Sequence, residues 1–219
     1  KKTMPTIPPK SESKYELAPE GTHVARIVQF VHIGTSPDNF KGEVRDRNLV
    51  RYVFELPLET YEYEGKQKPH LLSAEYTLSL SPKANLHKMV ASLEGRKLTE
   101  DEESTYDVET LVGRECMVQV QHVESNGKTY ANIINVIPLM KGMICPAQIT
   151  PKLVFSYYPF NKELFESLPE FLRKKIEVTK EYNTALILRG DRQAPVEGKG
   201  MEAVIDYDAE EVDENGIPF

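Results

Sequence analysis

Long apolar runs are missing from this chain of 219 residues. Nothing approaches the roughly 18 residues a membrane-spanning helix requires, and a mean hydropathy of −0.45 suits a protein surrounded by water. Cysteine is scarce: Cys116 and Cys145 are the two present, neither in a CxxC pair nor beside a histidine, so free thiols in a reducing compartment are expected. Residues 1–10 lack the apolar segment of a secretory signal, which predicts a cytoplasmic location. His23, His32, His70, His87 and His122 never fall at ligand spacing, so no metal is expected. No glycine-rich phosphate loop and no nucleophile, base and acid order occurs. Cys116 and His122 lie six residues apart on one predicted strand, sharing a face without meeting. An enzyme is not expected, nor a cofactor.

Basic charge is also lacking overall: 34 Asp and Glu against 27 Lys and Arg give −7. Seven of those acids, Glu202, Asp206, Asp208, Glu210, Glu211, Asp213 and Glu214, lie in residues 201–219, which hold no basic residue. The remaining 200 residues carry 27 of each sign. A neutral body accommodates a basic groove, so whole-chain charge does not exclude a polyanionic partner.

Residues 1–20, rich in Pro, Ser and Lys, predict a flexible arm. Residues 22–33 are dense in β-branched and aromatic side chains and predict a first strand. Residues 35–48 read as a turn-rich loop. Residues 49–56 alternate, with Val50, Tyr52, Phe54 and Leu56 on one face, and predict a second strand. After a polar excursion over 60–69, residues 71–80 alternate again as a third, with Leu72, Ala74, Tyr76, Leu78 and Leu80 inward. The period then becomes helical, Leu86, Met89, Val90 and Leu93 falling at i, i+3, i+4 and i+7. Thr99 and Glu102 have capping-box spacing. Two more strands, 114–123 and 130–137, flank Asn126-Gly127, the signature of a tight hairpin.

Three strands, a helix and two strands is the order of the OB fold, a five-stranded Greek-key barrel with a helix between strands three and four. The expected organisation is therefore a mainly β OB-fold domain over 21–142, with a small helical extension over 143–188. Within it, residues 153–160 are apolar and aromatic, Asn161 caps a helix over 162–168, and Pro169 opens another over 170–181 with Phe171, Leu172 and Ile176 as its stripe. Residues 189–219 are too acidic and too rich in Gly and Pro to offset ordering entropy, predicting a disordered tail.

A single-strand groove needs cations to follow phosphates and flat side chains to stack bases. Lys41, Arg45, Arg47 and Arg51 lead into the second strand, followed by Tyr52, Tyr61, Tyr63, Lys66 and Lys68, with Lys128 and Tyr130 at the last hairpin. OB folds bind through strands two and three and the adjoining loops, so this reading requires Arg45, Arg51, Tyr61 and Lys66 to converge in one groove. Tyr52 shares a face with Val50 and Leu56, and core packing is its competing role. Tyr61 and Tyr63, in a polar stretch, compete less with the core.

The chain closes on Asp213-Glu214-Asn215-Gly216-Ile217-Pro218-Phe219, an apolar tripeptide behind acids. A pocket would take Phe219, and basic residues around it the carboxylates. This ending resembles the acidic tip of bacterial single-stranded DNA-binding proteins, although Asn215-Gly216 interrupts the acidic run. The body is similar to OB-fold single-strand binders encoded by bacteriophages, on patterns such as Arg51-Tyr52-x-Phe54 and Leu111-Val112-Gly113-Arg114. The resemblance implies a non-enzymatic protein that coats single-stranded DNA, with RNA also open, in a host cytoplasm. It also implies recruitment of replication or recombination enzymes through Asp213, Glu214, Ile217, Pro218 and Phe219. The alternative is a protein-interaction module whose barrel and tail engage another protein without nucleic acid.

Overall fold

The computed structural model describes residues 16–192 apart from residue 41, and the side chains of residues 39 and 40 are outside the description. Two long strands come first along the chain: β1 (Gly21–Phe40) and β2 (Glu43–Tyr63). The stretch read as a loop over 35–48 is the far half of their hairpin, paired from Thr35↔Asn48 to Phe40↔Glu43. Turn residues there do not end the strands, because neighbouring backbone supplies the ladder that propensity alone withholds. Next come β3 (Lys66–Thr77), α1 (Asn85–Glu94), α2 (Glu100–Thr105), a 3-10 turn (Val108–Leu111), β4 (Glu115–Ser125) and β5 (Lys128–Pro138). The extension contributes β6 (Leu153–Phe155), α3 (Lys162–Ser167), α4 (Glu170–Glu177) and α5 (Lys180–Leu188).

The strands lie in the order β3-β2-β1-β4-β5, all antiparallel, with β6 added parallel to β1. The element order matches the expectation, but the closed five-stranded barrel does not form. Six strands share one sheet, and no ladder joins β3 to β5 among the described residues. The two edge strands approach each other, and α1 packs against both, its Ser92 hydroxyl donating to the Val136 carbonyl of β5 at 2.9 Å. A helix seated along both edges supplies the packing that strand-to-strand closure would otherwise give.

The inner core collects Ala25, Ile27 and Phe30 of β1, Val50, Tyr52, Phe54 and Leu56 of β2, and Cys116, Val118 and Val120 of β4. Leu86, Met89, Val90 and Leu93, the stripe read from sequence, close it from α1. Ala18 is also buried in it, so packing begins before residue 21. His122 fixes that segment, its backbone N–H donating to Glu20 Oε1 at 2.7 Å while its ring pairs with the Ala18 carbonyl at 2.8 Å. Val31 and Ile33, on the other face of β1, join a second core with Phe155, Tyr157, Phe165, Leu168, Leu172 and Ile176. Apolar cover on both faces explains why 22–33 reads as continuous rather than alternating.

The extension is thus bolted to the sheet's outer face. Glu55, fully buried on β2, accepts from the backbone N–H groups of Ile149 at 3.0 Å and Thr150 at 2.5 Å. Arg26 donates to the Pro146 carbonyl at 3.0 Å. The helix expected over 170–181 is two helices, because buried Thr179 leaves the backbone ladder to cap α5, accepting from Tyr182 N. Glu181 then accepts from both Thr35 N and Thr35 Oγ1 at 2.6 Å.

Candidate nucleic-acid interface

Tyr61, Tyr63, Lys66 and Lys68 come together at the β2–β3 tip. Glu64 and Gly65 both have left-handed φ, 51° and 72°, the pairing a two-residue hairpin turn demands. That turn sets the register: Tyr61 lies opposite Lys68, Tyr63 opposite Lys66, and Glu62 opposite Gln67 on the other face. Directly opposed residues share a face, as do residues two apart, so aromatic and cation alternate on one surface. Lys68 Nζ stands 4.2 Å from the Tyr63 ring centroid, and Tyr63 remains 42% exposed. Tyr61 leans on the ring of buried His70, centroids 4.9 Å apart. Burial lowers the His70 pKa, so it adds a flat neutral floor at pH 7 and no cation.

The β4–β5 tip lies at the same end of the sheet. Both β2 and β4 run antiparallel to β1, so their far ends meet where β1 begins. Asn126 and Gly127 turn this hairpin with φ of 49° and 71°, as expected. Exposed Lys128 lies opposite Ser125, and half-buried Tyr130 opposite Val123.

The arginines do not join this cluster. Arg45 pairs with Asp38 near the end of β1, whereas Tyr61 lies at the β2–β3 tip, where β1 begins, so the single convergent groove is not formed. Each arginine also has an acidic partner. Arg45 pairs with Glu43, and Arg47 pairs with Asp38 at 2.6 Å and donates to Thr77 Oγ1 at 3.1 Å. Arg51 pairs with Glu75 at 2.9 Å, donates to Ser73 Oγ at 2.5 Å and lies 5.2 Å from the Phe171 ring centroid. It faces the extension. Lys66 and Lys68, by contrast, form no ion pair with the described residues.

Tyr52 is a core residue and cannot stack a base. It is fully buried, its hydroxyl donates to the Val108 carbonyl at 2.9 Å, and burial pushes its pKa well up. Lys41 lies outside the described residues, as do Asp213, Glu214, Ile217, Pro218 and Phe219. Both thiols are free and buried, the Cys116 pKa pushed up to about 12 by burial and then by Cys145.

Sequence reasoning overlooked Phe171 as a surface residue. In α4 only Leu172 and Ile176 are buried, while Phe171 is 50% exposed. Periodicity carried the signal: Phe171 is rotated about 100° from Leu172 on a helix, and one face cannot hold both centrally. Among the described residues no helix is long and apolar enough to cross a membrane, and no His, Cys, Asp and Glu cluster offers a metal site. The chain matches no protein-family model and no curated protein.

Proposed function

We propose that the protein binds single-stranded nucleic acid, with the β2–β3 tip as its primary contact. The observation that carries this reading is the alternation of Tyr61, Tyr63, Lys66 and Lys68 on one exposed hairpin face, with neither lysine in an ion pair among the described residues. Tyrosines offer each base a π-face irrespective of sequence, and ammonium groups meet the phosphates. The sheet is read as an open OB-type arrangement. Its β1-β2-β3 meander, the helix α1 before β4, and the pairing of β4 with β1 support that reading, and the β4–β5 tip with Lys128 and Tyr130 flanks the contact.

In this reading the acidic tail recruits replication or recombination proteins, Ile217-Pro218-Phe219 serving as the hook. A salt series of labelled-oligonucleotide titrations tests the binding, whose affinity falls with salt by about 0.7 log units per decade for each phosphate neutralised. Absent or salt-insensitive binding refutes it. Deletion of residues 216–219 leaves DNA affinity intact and abolishes capture of a replication enzyme, whereas loss of both refutes a modular tail.

A second reading, a protein-interaction module, is favoured by one observation. Met140, Met143, Ile144 and Ile149 are all exposed along the segment crossing to the outer face. Co-purification of one stoichiometric protein, without affinity for oligonucleotides, would select it.

A further inference from the structure

Phe171 sits in the first turn of α4 with half of its surface open to solvent. The Arg51 guanidinium lies 5.2 Å from its ring centroid. Lys174 and Lys175, at i+3 and i+4, lie on the same side of the helix, their side chains 72% and 51% exposed. Lys175 and Arg51 share one carboxylate, Glu75, at 3.2 and 2.9 Å, so this group holds two cations against one anion. Lys174 is matched by Glu170 at 2.9 Å across a fully solvated gap, an exposed pair of the kind a phosphate displaces at little cost. A half-exposed ring against one guanidinium, with three cations to two carboxylates on its side of the helix, is poorly suited to an apolar partner surface and well suited to a base with its phosphate.

From this constellation we infer a second station for single-stranded nucleic acid, with Phe171 stacking a base and Lys174 and Lys175 holding the adjoining phosphates. It rests on the reading of the hairpin as the primary contact and adds a path to it. Arg51 and Ser73 lie on the outer face of β2 and β3, whereas Lys68 and His70 of β3 continue the core-facing side. The two stations are therefore on opposite faces. Arg51 and Tyr61 pair with Glu75 and Lys68 of β3, residues seven apart, so about 23 Å separates them along the sheet. Lys66 and Lys68 lie where β2 turns into β3, so one chain reaches both stations by passing around the β2–β3 tip. A short oligonucleotide occupies the hairpin alone, and a long one reaches α4.

The protein contains no tryptophan, which makes F171W a direct reporter. Full-length F171W is titrated at low salt with oligothymidylates of about 4 and about 16 nucleotides, the two ends of the range one OB-type fold engages. The longer oligonucleotide is expected to quench the introduced indole by stacking, and added salt to restore the emission. F171L, which keeps apolar bulk but cannot stack, is expected to bind the longer oligonucleotide about fivefold or more weakly and the shorter one unchanged. Leu172 and Ile176 hold α4 to the core in either variant. An unquenched indole beside intact hairpin-dependent binding overturns the station, as does F171L binding equal to wild type at both lengths. Equal loss at both lengths overturns the wrapped path. Should wild type bind neither oligonucleotide, the hairpin reading itself fails and the second station with it.

Discussion

Replacing Lys66 and Lys68 together by glutamine isolates the electrostatic contribution of the hairpin. Each lysine that meets a phosphate of a single strand adds about 0.7 to the negative slope of log affinity against log salt. These two lysines therefore account for about 1.4 of that slope, and K66Q/K68Q loses it. At 0.1 M monovalent salt this corresponds to roughly 25-fold weaker binding, shrinking toward equality near 1 M. The size is read directly because neither side chain has an ion-pair partner among the described residues to release or strand. Both emerge near the tip, so the fold is unaffected. R51Q serves as the contrast: it leaves Glu75 to Lys175 alone and lowers thermal stability more than it alters the slope at the hairpin. The assay is fluorescence anisotropy with a labelled oligothymidylate at four or more salt concentrations. A slope equal to that of wild type, with unchanged affinity at 0.1 M, refutes the claim that this hairpin meets phosphate.

Y63A removes a half-exposed ring and its contact with Lys68, and is expected to cost about 1–3 kcal/mol of binding with less than about 0.5 kcal/mol of stability, separable by anisotropy and urea denaturation. E55Q exchanges a buried carboxylate that accepts two backbone N–H groups for an amide with one accepting oxygen. About 2–3 kcal/mol of stability is lost, and an unchanged urea midpoint refutes its anchoring role. Gly34 has φ of +107°, and a Cβ there meets Thr179 Cβ at 2.9 Å and Glu181 Oε2 at 2.8 Å. G34A is therefore expected to lose more than about 2 kcal/mol and to expose α5 to proteolysis first. The Arg114 guanidinium, then the Tyr106 hydroxyl, holds the Glu94 carboxyl below the usual carboxylate range. Its folded-state pKa is depressed, so the stabilisation is present above the unfolded value, about 4.3, and disappears as pH falls through the folded one. E94Q is thus less stable than wild type at pH 7, the difference shrinking as pH falls below about 4.3, and a pH-independent difference would show that the carboxylate's charge is irrelevant.

Period and turn chemistry determined much of this molecule before any packing was considered. Leu86, Met89, Val90 and Leu93 had to share one helix face, Thr99 and Glu102 had to form a capping box, and Asn126-Gly127 had to turn a hairpin, because each rests on atoms within a few residues. Asn161 capped its helix for the same reason. The aromatic and basic residue types at 61–68 were also legible. Their convergence depended on a Glu64-Gly65 turn that reads as mere polarity until the two flanking segments are paired.

Tertiary structure decided the rest, wherever the deciding partner lay far along the chain. Residues 35–40 and 43–48 became strand because each segment ladders with the other. Tyr52 became core because Val108, 56 residues on, accepts its hydroxyl. Arg51 was withdrawn from the groove by Glu75 and by Phe171, neither visible from its own neighbourhood. Whether β3 and β5 would close into a barrel was likewise beyond local pattern, since alternation states which face of a strand is buried and is silent on which edge finds a neighbour.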